Sequence, residues 1–332
     1  MPLTISRHKK RYILPIIIFV FILMTTYSWL SKTFQTDELK RSAELSAELA
    51  ILQRKANAEN EVAAGFRNKH NKVAGSLHMT NVTELRIDDG MTVSHIEQLF
   101  NRFLQQKKIL CDNDVRLGFQ HDGGWNVCMS PPFTLNKSCL VYSFGIGGDW
   151  RFEDDLNDFY GCTVMAFDPS MNLNEHTRKD RIHFKPEGLA GENDFNLDAD
   201  WTLKTFREHL RDAGHLNRVI DYLKFDIEYY EWSALKWMLS DDSLHNVKQL
   251  AFEVHLFPPP FESEIEYKPS KIDLLEKYDL LKKLEDLGFL KFNYRLNPFG
   301  EYLCKAGKNE MCSSFYELHY LNLNYVETKH FK

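Results

Sequence analysis

The residues that decide the fold run from Val141 to Trp150, VYSFGIGGDW, and are followed by Val164 to Asp168, VMAFD. An apolar run that breaks into glycines predicts a buried strand that turns tightly beneath a cofactor. The later acid ends the neighbouring strand, where ribose hydroxyls would lie. Together the two segments predict a nucleotide-cofactor site.

Around this stretch, from Cys139 onward, strand-like runs alternate with helical stretches, which is typical of an α/β domain with a mainly parallel sheet. The last two of seven predicted strands are contiguous. A terminal antiparallel hairpin is the arrangement of class I methyltransferases and differs from a dinucleotide-binding Rossmann domain. The predicted strands are Cys139–Phe144, Cys162–Asp168, Arg181–Phe184, Val219–Asp226, Val247–Val254, Phe289–Leu296 and Phe315–Leu323, and the predicted helices are Val93–Ile109, Asp149–Tyr160, Leu203–Ala213, Trp232–Leu239 and Lys271–Leu287.

The glycine turn favours S-adenosylmethionine over a dinucleotide. Gly145 and Gly147 let the chain turn and bring backbone N–H groups close to a ligand. A dinucleotide pyrophosphate would require a third glycine where the chain has Trp150. Asp149 would repel a pyrophosphate but could accept from a cationic amino-acid moiety, unless it only caps the helix. Asp168 is predicted to accept from both ribose hydroxyls.

Acidic and imidazole side chains end two further strands. Asp226 and Glu228 end the fourth predicted strand, and Glu253 and His255 end the fifth. The carboxyl edge of the sheet is where ligands bind in open α/β folds, so four titratable groups there favour an active site. We predict that Asp226, Glu228 and His255 are catalytic and that Asp226 also contacts the cofactor. A structural hydrogen bond by His255 and an ion pair by Glu253 are the alternatives.

A basic segment and an apolar run stand near the N-terminus. The run covers residues 13–30 and has no charged side chain over about 18 residues, just long enough to cross a hydrocarbon core. The basic residues before it predict a cytoplasmic tail, residues 1–12, and a type II signal anchor that places the rest of the chain in the ER or Golgi lumen. A cleaved signal peptide is the alternative, although no small-x-small cleavage site follows.

Between this anchor and the folded domain, residues 31–90 are predicted to form a helical stalk and a linker. Residues 37–62 are rich in Ala, Glu, Leu, Lys and Arg, with leucines at helical spacing. The stalk is a solvated spacer or, alternatively, a short coiled coil that would make a homodimer. The methyltransferase-like domain is predicted over residues 91–332.

Charge and glycosylation motifs restrict the partners and the compartment. The formal net charge is -6 and no Lys/Arg stripe occurs in the globular part, which argues against a nucleic-acid partner. Asn81 and Asn136 begin Asn-x-Ser/Thr sequons on the side that the topology places in the lumen. A membrane-bound glycoprotein is therefore predicted.

The 6 cysteines fit an oxidising compartment. Cys111 and Cys128 bracket a polar, Gly-rich segment, and a second pair, Cys304 and Cys312, brackets a hairpin loop. These are the two disulfide bonds that we favour. Cys139 and Cys162 open two core strands and are interpreted as small buried thiols.

Four segments carry a family resemblance: Ser143–Gly147, Phe167–Pro169, Leu223–Glu228 with Glu231 and Trp232, and Phe252–His255. They resemble proteins of the methyltransferase-like 24 type and, more distantly, the FkbM-type O-methyltransferases. The resemblance covers residues 109–325 and implies a class I fold that binds S-adenosylmethionine near Gly145, Gly147, Asp168 and Asp226. Where the family pattern has Asp-Ile-Glu-Gly, this chain has Tyr229, which is expected to narrow the pocket.

These features together predict a membrane-anchored, lumen-facing methyltransferase that uses S-adenosylmethionine. Catalysis is expected to come mostly from proximity, with Asp226 or His255 as general base and no metal ion. The FkbM-type resemblance implies O-methyl transfer to an unknown small-molecule, glycan or protein acceptor. A Golgi glycosyltransferase that binds a divalent metal through Asp226 and Glu228, and a non-catalytic lumenal protein, are the alternatives.

Overall fold

The computed structural model describes residues 77–191, 194–196, 200–256, 270–297, 301–303 and 311–326. The predicted membrane anchor, the stalk and the first part of the linker lie outside these ranges. Within the described ranges, none of the helices has the length and apolar character needed to span a bilayer. The anchor and the stalk therefore stay predictions.

The strands are β1 Leu77–Met79, β2 Ile109–Cys111, β3 Asp114–Gly118, β4 Gly124–Cys128, β5 Leu140–Phe144, β6 Thr163–Phe167, β7 His176–Arg178, β8 Ile182–Lys185, β9 Glu187–Leu189, β10 Asp194–Asn196, β11 Trp201–Lys204, β12 Tyr222–Phe225, β13 Gln249–His255, β14 Phe289–Leu296, β15 Glu301–Leu303, β16 Met311–Ser313 and β17 Phe315–Asn322. The helices are α1 Val93–Leu104, α2 Arg151–Tyr160, α3 Phe206–Asp212, α4 Glu231–Ser240 and α5 Lys271–Asp286, and a short 3-10 turn covers Leu323–Tyr325.

The central sheet has 8 strands in the order β14-β17-β13-β12-β5-β6-β8-β7. The five strands from β13 to β8 are parallel, and β17 lies antiparallel to both β13 and β14. This is the class I methyltransferase topology, and the terminal antiparallel hairpin is confirmed. The prediction of seven strands is wrong by one, because β7 adds an antiparallel edge strand. Its side chains are mostly exposed, so it lacks the apolar pattern that reveals core strands.

The two faces of the sheet are covered differently. Every residue of β5 is buried, and Tyr142 and Phe144 belong to one hydrophobic core with side chains of α1, α3, α4 and α5. Ser143 lies between them and points to the other face of the sheet, where its hydroxyl donates to Glu153 of α2. On that face Tyr222 donates a hydrogen bond to the Asn126 carbonyl of β4 at 2.7 Å. The β3–β4 hairpin therefore covers the same face as α2.

Two predicted helices differ from the observed elements. The predicted helix at Leu203–Ala213 begins instead at Phe206, because Thr205 caps it and residues 201–204 form β11 beside β9. The predicted helix at Val93–Ile109 ends at Leu104, and Ile109 begins β2. β2 pairs with β1, so part of the predicted linker belongs to the folded domain. In both cases strand pairing between distant segments overrides local helical periodicity.

Disulfide bonds join two pairs of cysteines among the described residues. The predicted bond between Cys111 and Cys128 is confirmed. The interpretation of Cys139 and Cys162 as separate thiols is wrong, because they are bonded to each other. They directly precede β5 and β6, which are neighbouring parallel strands, so their Cα atoms lie 4.7 Å apart. Of the remaining predicted pair, Cys304 lies outside the described residues.

The β3–β4 hairpin is held to the sheet by a buried ion pair. The Arg116 guanidinium donates to both carboxylate oxygens of Glu317 on β17, at 2.8 and 3.1 Å. It also donates to the Phe119 and His121 carbonyls of the hairpin loop. Burial alone would raise the pKa of Glu317, but the His319 imidazole and the Arg116 guanidinium outweigh it and lower that pKa. One side chain thus fixes both the hairpin and its loop.

A buried lysine makes the stability of the domain depend on pH. Lys291 on β14 is 1% exposed, and its ammonium donates to the Phe103 carbonyl at 2.9 Å. Burial lowers the pKa of Lys291 from 10.5 to about 7. Between these two values the unfolded chain binds more protons than the folded chain, so stability should rise with pH in that window, by up to about 1.4 kcal/mol per pH unit.

We therefore expect Lys291→Met to remove this rise. The difference in free energy of unfolding between pH 7.0 and pH 9.5 should shrink by about 3 kcal/mol relative to the wild type. Denaturant unfolding at the two pH values measures it, with the exposed Lys236→Met as the matched control. Equal pH dependence in all three proteins would contradict the prediction.

Candidate functional site

A cavity of about 300 Å³ lies where β5, β6 and β12 end, which is at the lower end of the range for small-molecule pockets. It lies at the carboxyl edge of the parallel strands, as predicted. Its lining includes Gly145, Gly147, Asp149, Asp168, Asp226 and Glu228. The structure thus brings together all five residues predicted to bind the cofactor. Of the predicted catalytic residues, Asp226 and Glu228 line the cavity and His255 does not.

The glycine turn after β5 has the backbone geometry that the sequence predicts. Gly145 has φ +78°, and a Cβ atom there would lie 1.6 Å from the Asp226 carbonyl oxygen. Gly147 has φ +59° and Gly148 has φ +80°, and a Cβ atom on either would meet nothing within 4 Å. Gly145 is therefore required for the close approach of β5 and β12, and the next two glycines leave open space.

Asp168 organises this turn. One carboxylate oxygen accepts from the backbone N–H groups of Ile146 and Gly147, at 2.8 and 2.7 Å. The other accepts from the Ser170 backbone N–H at 2.8 Å and the Ser170 hydroxyl at 2.6 Å. These four bonds match the four acceptor positions of a carboxylate. A ribose hydroxyl would have to share or replace the Ser170 contacts.

Asp149 already pairs with a cation. Its carboxylate accepts from the Arg151 guanidinium, with Nε at 2.7 Å, and from the Arg151 backbone N–H at 3.2 Å. It does not cap α2, because the N-cap is Trp150. Its charge is therefore partly neutralised by Arg151 on the cavity wall.

Sequence reasoning missed two buried ionisable groups that line the cavity. Glu153 on α2 is 1% exposed, and its Oε2 has no hydrogen-bond partner among the described residues. Burial raises the pKa of Glu153. Lys224 on β12 is 4% exposed and donates to the Phe144 and Gly145 carbonyls. The position of Glu153 in the first turn of the helix after the glycine turn was the one signal available.

The β3–β4 hairpin forms another part of the cavity wall. Asp122, Gly123 and Trp125 line the cavity, and the Trp125 ring lies 5.0 Å from the Lys224 ammonium. Burial and the neighbouring Asp226 raise the pKa of Asp122. The loop that Arg116 fixes is therefore part of the site.

A cluster of acids surrounds His255 beside the cavity. His255 Nδ1 lies 2.9 Å from Glu231 Oε1, and its Nε2 lies 3.6 Å from Glu228 and 3.8 Å from Glu253. Burial alone would lower the pKa of His255, but Glu231 outweighs it and raises the pKa to about 9. Burial and the Asp226 charge raise the pKa of Glu253 to about 9. Glu231 was not predicted as a site residue.

Tyr229 does not narrow the cavity as expected. It does not line the cavity, and its ring packs on His255 with 4.7 Å between centroids. Its φ is +78°, a conformation that glycine adopts without strain. The glycine of the family pattern thus corresponds to a left-handed backbone conformation at this turn. Tyr229 adopts the same conformation with a backbone strain of about 1–3 kcal/mol.

Comparison with known proteins identifies the family. A family model described as a methyltransferase domain matches residues 72–307. The chain belongs to this family. The predicted resemblance is confirmed by curated relatives named "Probable methyltransferase-like protein 24" from Homo sapiens, 29% identical over 219 residues, and Rattus norvegicus, 29% identical over 220 residues.

These matches cover 58% of this chain and 56% of each relative, so the chain spans about half the length of the curated relatives that it matches. A solved structure of the Methanococcus jannaschii fibrillarin pre-rRNA processing protein is 8% identical, with a TM-score of 0.29 over 71% of this chain and 86% of that one. That likeness is too weak to support an argument about fold or function.

Proposed function

We propose that this methyltransferase domain binds S-adenosylmethionine in the cavity and transfers its methyl group to an oxygen of an acceptor molecule. The proposal rests on one observation: all five residues predicted to bind the cofactor line a single cavity at the carboxyl edge of the sheet. When bound, the cofactor supplies a sulfonium methyl group, and the protein supplies binding, orientation and electrostatics.

The residues present fit a cofactor with a cationic amino group. The Glu153 carboxylate is buried on the cavity wall with one unpartnered oxygen, and such an oxygen is costly unless something donates to it. A ligand ammonium group would satisfy it. The open space beside Gly147 gives a ligand access to the turn. Glu153 thus replaces Asp149 as the proposed partner of the amino-acid moiety.

Asp226 is the better placed of the two proposed general bases. Asp226 lines the cavity, whereas His255 does not line it and bonds to Glu231. A general base must reach the proton that it removes. Asp226 is therefore proposed to accept the acceptor's hydroxyl proton, while the cavity walls and the hairpin hold the reactants close together.

We expect Asp168→Asn to weaken binding of S-adenosylmethionine by about 10–100-fold. The amide has one acceptor oxygen, so its NH₂ group would face either the N–H groups of the glycine turn or those of Ser170. Losing charge-assisted bonds at the turn should disorder the backbone that faces the ligand. Calorimetric titration of the full chain with S-adenosylmethionine and S-adenosylhomocysteine measures this.

Asp180→Asn, the same change at an exposed position, serves as the control and should bind as the wild type does. If Asp168→Asn bound the cofactor with wild-type affinity, the site assignment would be wrong. Binding of a UDP-sugar with manganese, and no binding of S-adenosylmethionine, would favour the glycosyltransferase alternative.

We also propose that residues 13–30 anchor the protein with its domain in the lumen of the ER or Golgi. The apolar run and its basic flank support this topology, and the sequon residues Asn81 and Asn136 are both exposed. Sensitivity of the cellular protein to an N-glycosidase, lost in an Asn81→Gln/Asn136→Gln variant, would support it. An unglycosylated protein accessible to cytosolic protease would contradict it.

A further inference from the structure

Three side chains beside the cavity have the arrangement of a metal site. One carboxylate oxygen each from Asp226 and Glu228 and a ring nitrogen of His255 lie within 4.8 Å of one another. An ion bound at about 2.1 Å from each ligand holds neighbouring ligands roughly 3–4 Å apart. The Glu228 side chain is 76% exposed, so its rotation can close the remaining distance.

The orientation of His255 points independently to a ligand at Nε2. The side chain is 6% exposed, and Nδ1 lies against Glu231, a carboxylate that also accepts from the Ile227 backbone N–H at 3.1 Å. Because a carboxylate accepts, Nδ1 carries a proton whether or not the ring is charged, and a metal ion would displace the second proton from Nε2. Nε2 then faces Glu228 and Glu253 beyond hydrogen-bonding distance, at 3.6 and 3.8 Å. Metal-binding histidines are oriented in this way by a carboxylate on the other ring nitrogen.

Charge favours a cation at the same place. Asp226 and Glu228 each place a carboxylate oxygen within 4.8 Å of a ring nitrogen of His255, and Glu253 Oε2 lies 3.8 Å from Nε2 of the same ring. Close carboxylates repel one another strongly in a buried site unless a cation neutralises them. Two carboxylates with one imidazole suit divalent first-row metals such as Mn²⁺ and Zn²⁺ better than an all-oxygen ion such as Mg²⁺.

We propose that Asp226, Glu228 and His255 bind a divalent first-row metal ion at the edge of the cavity. This departs from the sequence-based expectation that the site uses no metal. Asp226 and Glu228 line the cavity, so an acceptor hydroxyl could complete the coordination of the ion. This role of the ion toward the acceptor rests on the proposed methyl transfer. The ion would make the acceptor hydroxyl easier to deprotonate.

The test is titration of the purified full-length chain with Mn²⁺ in the absence of S-adenosylmethionine, followed by the electron paramagnetic resonance signal of free Mn²⁺. We expect one saturable site per chain, displaced by Zn²⁺ and not by equimolar Mg²⁺. Glu228→Gln and His255→Gln should each weaken binding at least about tenfold. Glu228 is exposed, so its variant separates loss of the site from loss of the fold.

Asp242→Asn is the matched control, because Asp242 is an exposed acid 4.0 Å from a histidine, His245, on the surface. It should bind Mn²⁺ as the wild type does. Absence of saturable binding, or binding that Glu228→Gln leaves within twofold of wild type, would overturn the metal site. Mn²⁺ binding without any S-adenosylmethionine binding would instead reject the proposed function alone.

Discussion

Replacing Gly145 by alanine is expected to abolish S-adenosylmethionine binding and to lower the free energy of unfolding by more than about 4 kcal/mol. An alanine Cβ would lie 1.6 Å from the Asp226 carbonyl oxygen, and φ is +78°. Neither strand can yield alone, because β5 and β12 are paired in register up to Phe144 and Phe225. Denaturant unfolding and calorimetric titration with the cofactor measure the two effects.

Gly148→Ala separates backbone strain from the steric clash. Gly148 has a similar φ of +80°, but an added Cβ would meet nothing within 4 Å. Gly148→Ala should therefore lower the free energy of unfolding only by the strain of a left-handed alanine, about 1–2 kcal/mol. Equal losses in Gly145→Ala and Gly148→Ala would show that the close approach of β5 to β12 does not govern stability.

Replacing Arg116 by methionine is expected to lower the free energy of unfolding by about 3–5 kcal/mol. Glu317 is 5% exposed and would keep a buried charge without its guanidinium partner. The Phe119 and His121 carbonyls would lose their donor as well. Because that loop contributes Asp122 to the cavity wall, cofactor binding should weaken together with stability.

Two further variants make this prediction specific. Arg116→Met combined with Glu317→Met removes both charges and should recover most of the lost stability. Arg178→Met breaks a pair with Asp154 in which Arg178 is 37% exposed, and it should cost no more than about 1 kcal/mol. A double variant as unstable as Arg116→Met would show that the uncompensated charge is not the cause.

Much of the fold could be predicted because it depends on local patterns. The seven predicted core strands all occur, with boundaries shifted by at most a few residues. The edge strand β7 escaped prediction because its side chains are mostly exposed, so no apolar alternation marks it. The start of α3 was misplaced because Leu203 pairs in a strand with Gly188, a contact that local propensity does not contain.

The candidate site was predicted in part for the same reason. Gly145 and Asp168 were found because a strand that ends in glycine, and an acid at the end of the next strand, are local signals. The hydrogen bonds that the Asp168 carboxylate accepts from the turn and the unpartnered oxygen of Glu153 were not predicted. They depend on which backbone groups and helix faces meet in three dimensions.

The sequence by itself determined the order of strands and helices, the terminal hairpin, the position of the glycine turn and the acids at the carboxyl edge. The spacing of apolar residues and the backbone preferences of glycine involve only a few neighbouring residues, so they are visible in the sequence. The tertiary structure alone decided the pairing of Arg116 with Glu317, 201 residues apart, the bond between Cys139 and Cys162, and the orientation of His255 by Glu231. Such contacts arise only when folding places distant side chains within a few ångströms of each other.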